Sequence, residues 1–170
     1  MDRQSTRTDG WADRIAVVFA SGFGLGFIPC ASGTFGTLPG VALVVFLWPI
    51  LDGNLALQIA TGVALTLAAV PVCGAAERFF GKKDDGRIVA DEYATFPLVM
   101  IGLPVVRDEW WIVLVAFLAA RFFDILKPWP ARGLQRIRGG TGIVIDDVFA
   151  SLYALAFTHG AVLTIRHFLA

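Results

Sequence analysis

Three acidic groups, Asp91-Glu92, Asp124 and Asp146-Asp147, lie far apart in a chain of 170 residues, yet each stands at the edge of an apolar run. A hard divalent cation such as magnesium takes oxygen ligands, usually one or two carboxylates with water and substrate oxygens completing the shell. Five carboxylates meeting at helix ends could supply them. The alternative for either pair is helix capping, because unpaired N–H groups and the macrodipole favour acids at a helix start. Asp124 is different, since it falls toward the C-terminal end of its run, where the dipole disfavours negative charge. Its alternative is an ion pair with Arg121 or Lys127, each three residues away. An ionisable residue inside or beside a membrane span is by default a functional hypothesis.

Next to Asp124 come Lys127-Pro128-Trp129-Pro130, then Arg132, Arg136 and Arg138, then Gly139-Gly140-Thr141-Gly142. Lysine meets phosphate as a point charge and arginine as a two-donor fork, so this segment suits an anionic headgroup. The tendency of basic residues to gather on one side of a membrane accounts for the arginines by itself, and only Lys127 stands above it. A second candidate cradle is the segment from Pro29 to Gly40, where small residues carry the hydroxyls of Ser32, Thr34 and Thr37. Such a segment lets backbone N–H groups approach phosphate at a helix start. It is not a P-loop, because no Gly-Lys-Ser/Thr follows, and close packing between helices explains it equally well. The substrate-phosphate candidates are therefore Ser32, Thr34, Thr37, Lys127 and Arg132.

The elements that must position these residues are apolar. The chain is 56% hydrophobic and 16% charged, with a mean hydropathy of +0.70, which favours a membrane over a soluble domain. Equal totals of basic and acidic residues, 14 each, give no reason to expect nucleic acid. Apolar runs cover about residues 37–51, 55–73, 93–106, 110–126 and 148–168. Several are shorter than the ~20 residues of an upright span, so half-spans are expected among them. The glycine-broken run 15–28 is expected at the interface. With the N-terminus inside, Arg3, Arg7, Arg14, Arg78, Lys82, Lys83, Arg87, Lys127, Arg132, Arg136 and Arg138 share the inner side, while Arg107 and Arg166 lie outside. Trp48, Trp110, Trp111 and Trp129 fall near the span boundaries, as interfacial anchors do. Cys30 and Cys73 form no zinc pattern and are expected to be buried. The polar segment 1–14 is kept in the mature chain, since the following run leads straight into an organised Gly/Thr/Pro segment. One domain over 1–170 is expected.

Four segments together resemble the phosphatidylglycerophosphatase A family of bacterial phospholipid synthesis: Ser32 to Gly40, Asp84-Asp85-Gly86-Arg87-Ile88-Val89-Ala90-Asp91-Glu92, Arg121 to Pro130, and Gly139 to Val148. The Phe-Asp-x-x-Lys-Pro-x-Pro element with Gly-Gly-x-Gly and Asp-Asp downstream is the most specific of them. The resemblance implies a magnesium-dependent phosphomonoesterase that converts phosphatidylglycerophosphate to phosphatidylglycerol. It also implies an all-α integral membrane fold, with about four to five apolar helices and the acidic site at their cytoplasmic ends in the bacterial inner membrane. One departure is local: a glycine of the family pattern after the first acidic pair is replaced within Tyr93-Ala94-Thr95-Phe96-Pro97.

Phosphate ester hydrolysis uses a covalent nucleophile or a metal-activated water. The chain has no Cys-x5-Arg loop and no Asp-x-Asp nucleophile motif, and His159 and His167 fall toward the opposite face. Carboxylate-bound metal and water remain, with Asp91, Glu92, Asp124, Asp146 and Asp147 as ligands or bases and Lys127 offsetting phosphate charge. The rivals are a phosphatidyl transferase acting on CDP-activated lipids, a small ion-binding transporter, and a soluble member acting on a water-soluble ester. The first lacks its Asp-Gly…Ala-Arg…Gly…Asp…Asp signature here, and the second predicts acids deep within the spans.

Overall fold

A computed structural model of the chain describes residues 10–134 and 136–169; Arg3 and Arg7 of the polar N-terminal segment lie outside the described residues. The described residues form α-helices and short 3-10 turns without a strand: α1 (Trp11–Ala20), α2 (Ser32–Leu51), α3 (Leu55–Phe80), α4 (Ala90–Val99), α5 (Trp110–Leu126), α6 (Ala131–Leu134) and α7 (Gly140–Leu169). The chain is a helical membrane protein. Helices α2, α3 and α7 are long and apolar enough to cross a bilayer, and α5, at 17 residues, is just shorter. Their outward faces are hydrophobic, with Phe46, Ile50, Leu67, Leu118, Phe122 and Leu163 all exposed, as expected where lipid replaces water.

The run expected over 93–106 is a half-span. Helix α4 stops at Val99 because the chain turns at Met100 and passes through Gly102 at φ +75°, a left-handed conformation that glycine adopts without penalty. A helix ending inside a membrane protein must satisfy its last carbonyls and the loop's amides within the protein. Trp48 Nε1 donates to the Met100 carbonyl at 2.8 Å, and Gln58 accepts from the Gly102 amide at 2.8 Å. Trp48 is thus a buried packing residue and not an interfacial anchor, whereas Trp110 and Trp129 are exposed. Nearly every residue of α4 is buried, and the helix is enclosed by α2, α3 and α7.

Two helices begin earlier than their apolar runs suggest. Helix α2 starts at Ser32, so the proposed cradle is mostly helix, and its glycines serve packing. A side chain at Gly36 would fall on Val89, and one at Gly40 on Tyr93 and Phe96. Helix α7 starts at Gly140, which leaves Asp146 and Asp147 about two turns inside it, at ~10 Å of axial rise. Capping therefore does not explain that pair. Helix α1 lies against α3 through Val17 and Ala20 and leaves Trp11, Ile15, Val18 and Phe19 exposed, in keeping with an interfacial helix. Cys73 is buried as expected, but Cys30 is exposed, because it sits in the bend just before α2.

Helices α3 and α7 touch backbone to backbone where Gly74 meets Gly140, and a Cβ on Gly140 would strike the Val70 carbonyl. Gly140→Ala is expected to cost about 1–3 kcal/mol through overpacking. Gly160→Ala, at a position open to space, should instead gain roughly 0.5–1 kcal/mol from reduced unfolded-state freedom. Thermal unfolding in detergent checks both signs.

Candidate active site

The carboxylates meet at the end of the bundle where α2, α4 and α7 begin and α3 and α5 finish. A cavity of ≈ 330 Å³ there is lined by Asp91, Glu92, Asp124, Lys127, Asp147 and Ser32, with Asp84 and Gly86 at its mouth. Asp91 and Glu92 occupy the first turn of α4, so one buried helix start delivers both. Asp147 enters from the second turn of α7, and Asp124 from the last turn of α5. A narrow cleft continues inward between Thr95, Ser151 and Asp147.

A ladder of ion pairs links the acids. Arg121 Nη1 stands 3.0 Å from Glu92 Oε2 and 2.9 Å from Asp124 Oδ2. Lys127 Nζ lies 3.9 Å from Asp124 Oδ1 and 2.7 Å from Asp146 Oδ2. Asp146 and Asp147 are neighbours on α7 and face different ways, Asp146 toward Lys127 and Asp147 into the cavity. Burial opposes the ammonium of Lys127, but its bond to Asp146 and the charges of Asp147 and Asp124 outweigh that and raise its pKa above the ordinary lysine value. Lys127 reaches this position from a left-handed backbone, φ +46°, at the C-terminal cap of α5. For a non-glycine residue that conformation costs about 1–3 kcal/mol and persists where the surroundings hold it.

The hydroxyl candidates separate. Ser32 lines the cavity. Thr37 is buried, and its one hydroxyl proton has two acceptors within the protein, the Gly33 carbonyl at 2.8 Å and Glu92 Oε2 at 3.3 Å. Thr34 is not among the lining residues. Arg132 is exposed and donates to the Leu126 carbonyl, away from the cavity wall. Gly33 has a specific reason to be glycine, because a Cβ there would press on both Glu92 and Arg121.

Arg121 and Asp84 stand in the motif segments but not among the site candidates that the sequence suggests. Arg121 was weighed only as a partner of Asp124, whereas it is the cation shared by α4 and α5 and lies 3.5 Å from the Thr37 hydroxyl. Its signal was an arginine within an apolar run, where a charge needs a reason. Asp84 precedes a tight turn built by Asp85, whose carboxylate accepts from the Arg87 amide at 3.1 Å and from Arg87 Nε at 2.7 Å. The Arg87 guanidinium also covers the Phe80 ring at 3.9 Å.

The donor set suits a hard cation. Five carboxylates are gathered around two cations, Arg121 and Lys127, and the buried Oδ1 atoms of Asp91 and Asp146 have no hydrogen-bond partner. An unpaired buried carboxylate oxygen is costly, and oxygen-only ligands match magnesium. Among the described residues, no three acidic, histidine or cysteine groups stand in ligating array; Glu92 and Asp124 are paired with Arg121, and Asp146 with Lys127. Binding one ion would require the carboxylates to move closer together.

A profile of the family described as phosphatidylglycerophosphatase A matches residues 18–162. The chain is 39% identical to the phosphatidylglycerophosphatase A of Haemophilus influenzae, over 81% of this chain and 83% of that protein. It is 34% identical to the phosphatidylglycerophosphatase A of Escherichia coli, over 79% and 76%. A Bacteroides thetaiotaomicron protein provisionally named phosphatidylinositol-3-phosphatase is 34% identical over 82% and 89%. No solved structure matches.

The loop at the cavity mouth gives a pH prediction. Hydrogen bonds from Arg87 hold the Asp85 carboxyl below its ordinary value, so the turn's stabilisation is complete above the unfolded pKa of ~3.9 and fades as pH falls through the lower folded value. Protection of the Arg87 and Ile88 amides against hydrogen exchange, referenced to intrinsic rates, should drop on acidification below about pH 4. In Asp85→Asn it should be low throughout.

Proposed function

The chain belongs to the phosphatidylglycerophosphatase A family, and on that premise we propose that it removes the terminal phosphate of phosphatidylglycerophosphate to leave phosphatidylglycerol, using magnesium at the acid-lined cavity. The cavity faces the cytoplasm from the bacterial inner membrane. One observation carries this reading: Asp91, Glu92, Asp124 and Asp147 line a single cavity with Lys127, at the basic end of a bundle whose outer faces are apolar.

Asp91 and Asp147 would hold the ion, and Asp124, Glu92 and Asp146 would add to it by exchanging their cationic partners for it. Magnesium bound there supplies Lewis-acid charge toward the phosphoryl oxygens and eases deprotonation of water. Lys127 sits at the cavity wall and offsets phosphate charge as Asp146 is released. Arg121 lines the inner cleft and not the outer cavity, and from there it orients Glu92 and Asp124. A cavity carboxylate takes the proton of the attacking water as its oxygen bonds phosphorus, and returns it to the glycerol oxygen as that P–O bond breaks; Ser32 at the start of α2 is placed to donate to a phosphate oxygen.

A second reading concerns the headgroup. The Bacteroides relative carries the name of a phosphatidylinositol-3-phosphatase at a similar identity, which favours a site that reads the phosphomonoester more than the alcohol bearing it. Phosphate release from phosphatidylglycerophosphate and from phosphatidylinositol 3-phosphate, compared at equal surface concentration, separates the two readings. Release of CMP from a CDP-activated lipid would instead assign a transferase.

Two outcomes are expected. Purified protein should release phosphate from phosphatidylglycerophosphate with magnesium and stop when a chelator is added. Asp124→Asn should keep its thermal unfolding profile while losing ~10²–10⁴-fold in rate, and wild-type turnover by this variant would remove Asp124 from the site. For orientation, Arg136→Cys in a Cys30→Ser background should resist an impermeant maleimide in cells whose cytoplasmic membrane is intact. Asp108→Cys, in the turn before α5, should react with it.

A further inference from the structure

We infer that Asp84, on the turn at the cavity mouth, is a third carboxylate ligand of the cation held by Asp91 and Asp147, an inference that rests on the magnesium reading above. The acids around the cavity divide into two groups. Glu92, Asp124 and Asp146 each have a cationic partner in Arg121 or Lys127. Asp84, Asp91 and Asp147 take part in none of the ion pairs among the described residues, and all three line the same cavity. Where unpaired carboxylates from three separate segments face one space, the charge that would offset them is a cation.

Asp91 and Asp147 are fixed on helices and only 7% and 5% exposed, and the buried Oδ1 of Asp91 has no hydrogen-bond partner. Asp84 complements them from the solvent side. It is exposed, on the turn between α3 and α4, and near enough for its charge to act on Asp91 and Asp146.

The turn is built to present this residue without using its side chain. Asp84 has φ +49°, a left-handed conformation that is uncommon outside glycine and that aspartate adopts more readily than most residues. The bonds that hold the turn belong to its neighbour: Asp85 accepts from the Arg87 amide and from its guanidinium, and the Ile88 amide donates to the Asp85 carbonyl at 2.8 Å. The Val89 amide then donates to the Ala20 carbonyl at 2.8 Å, which ties the far end of the turn to α1. Since no three such groups among the described residues stand in ligating array, one of the acids must approach the others to share an ion. An exposed side chain on a turn moves at less cost than two that are buried on helices. Three carboxylates still leave positions on magnesium for water and phosphate oxygens.

Calorimetric titration of magnesium into the chain purified in detergent, without substrate, tests the assignment. Asp84→Asn should weaken binding by roughly tenfold to a hundredfold, the loss that follows even when an outer partner of a metal site is removed. Its melting temperature without magnesium should equal that of wild type, because asparagine also tolerates the left-handed backbone and the carboxylate holds nothing within the turn. Added magnesium should raise the melting temperature of wild type more than that of the variant. The difference in affinity should persist in about 1 M KCl, where exposed charges farther apart than ~3 Å are screened. If Asp84→Asn fails to fold, Asp84→Gly, unstrained at this φ, carries the same test.

Wild-type magnesium affinity in either folded variant overturns the inference. So does a loss that disappears in about 1 M KCl, which would make Asp84 a source of field and not a ligand. Should wild type itself take up no magnesium, the magnesium reading fails and this inference falls with it, while phosphate release from phosphatidylglycerophosphate, measured separately, still decides the phosphatase reading.

Discussion

The structure is organised around the burial of more carboxylate than the nearby cations can neutralise. Asp91, Asp146 and Asp147 are buried, and Glu92 and Asp124 nearly so, in surroundings where an unpaired charge is expensive. Arg121 and Lys127 answer this by being shared, so that Glu92, Arg121, Asp124, Lys127 and Asp146 form one continuous chain of charges across α4, α5 and α7. A shared cation also couples its partners, since any movement of Arg121 acts on both Glu92 and Asp124. The left-handed backbone at Lys127 fits the same account. Its conformational cost is opposed by an ammonium placed between Asp124 and Asp146, a position that an ordinary helix continuation would not reach.

That arrangement explains where the glycines are. Helix α4 is short and almost wholly enclosed, so its neighbours must approach its backbone closely to leave no lipid-exposed helix end. Gly33, Gly36 and Gly40 recur along α2 and accept Glu92, Val89 and Tyr93 in turn. Gly74 and Gly140 do the same between α3 and α7. Close approach therefore serves the site directly, because it is α4 that carries Asp91 and Glu92 into the protein interior on a helix start.

Much of this was legible in the residues. Apolar runs and the gathering of basic residues indicated a helical membrane protein, and the three acidic groups were placed at one end of it. The element boundaries were less legible. The pattern of apolar residues begins in α2 and α7 only after their first turns, because those turns carry glycine, threonine and acids facing the site. Capping therefore stood as an alternative for Asp146 and Asp147, which are interior to a helix. Pro29 to Gly40 could be read as a cradle or as close packing, since small residues look alike whether they approach a ligand or another helix; in the structure Gly36 and Gly40 meet α4, while Ser32 lines the cavity. Arg121 was overlooked because spacing on one helix revealed its pairing with Asp124, while its pairing with Glu92 depends on the tertiary arrangement. Cys30 is exposed against the general habit of free cysteine, at a bend that no composition rule locates.

The excess of carboxylate has a consequence for how a phosphate ester would be held. A phosphomonoester carries about −1.5 to −2 charges near neutral pH, so a cavity walled by acids repels it unless positive charge enters with it. Lys127 alone, already bonded to Asp146, cannot reverse the sign of that wall. Under the magnesium reading proposed above, cation and substrate are each other's condition for binding, and by linkage each tightens the other to the same degree. The acids then act as selectors against anions that arrive without the ion. Glu92 and Asp124 line the cavity while paired with Arg121, so a cation held there would compete with the guanidinium for both. In that description Arg121 sets the threshold for loading the site, through the strength with which it retains two carboxylates it has drawn together.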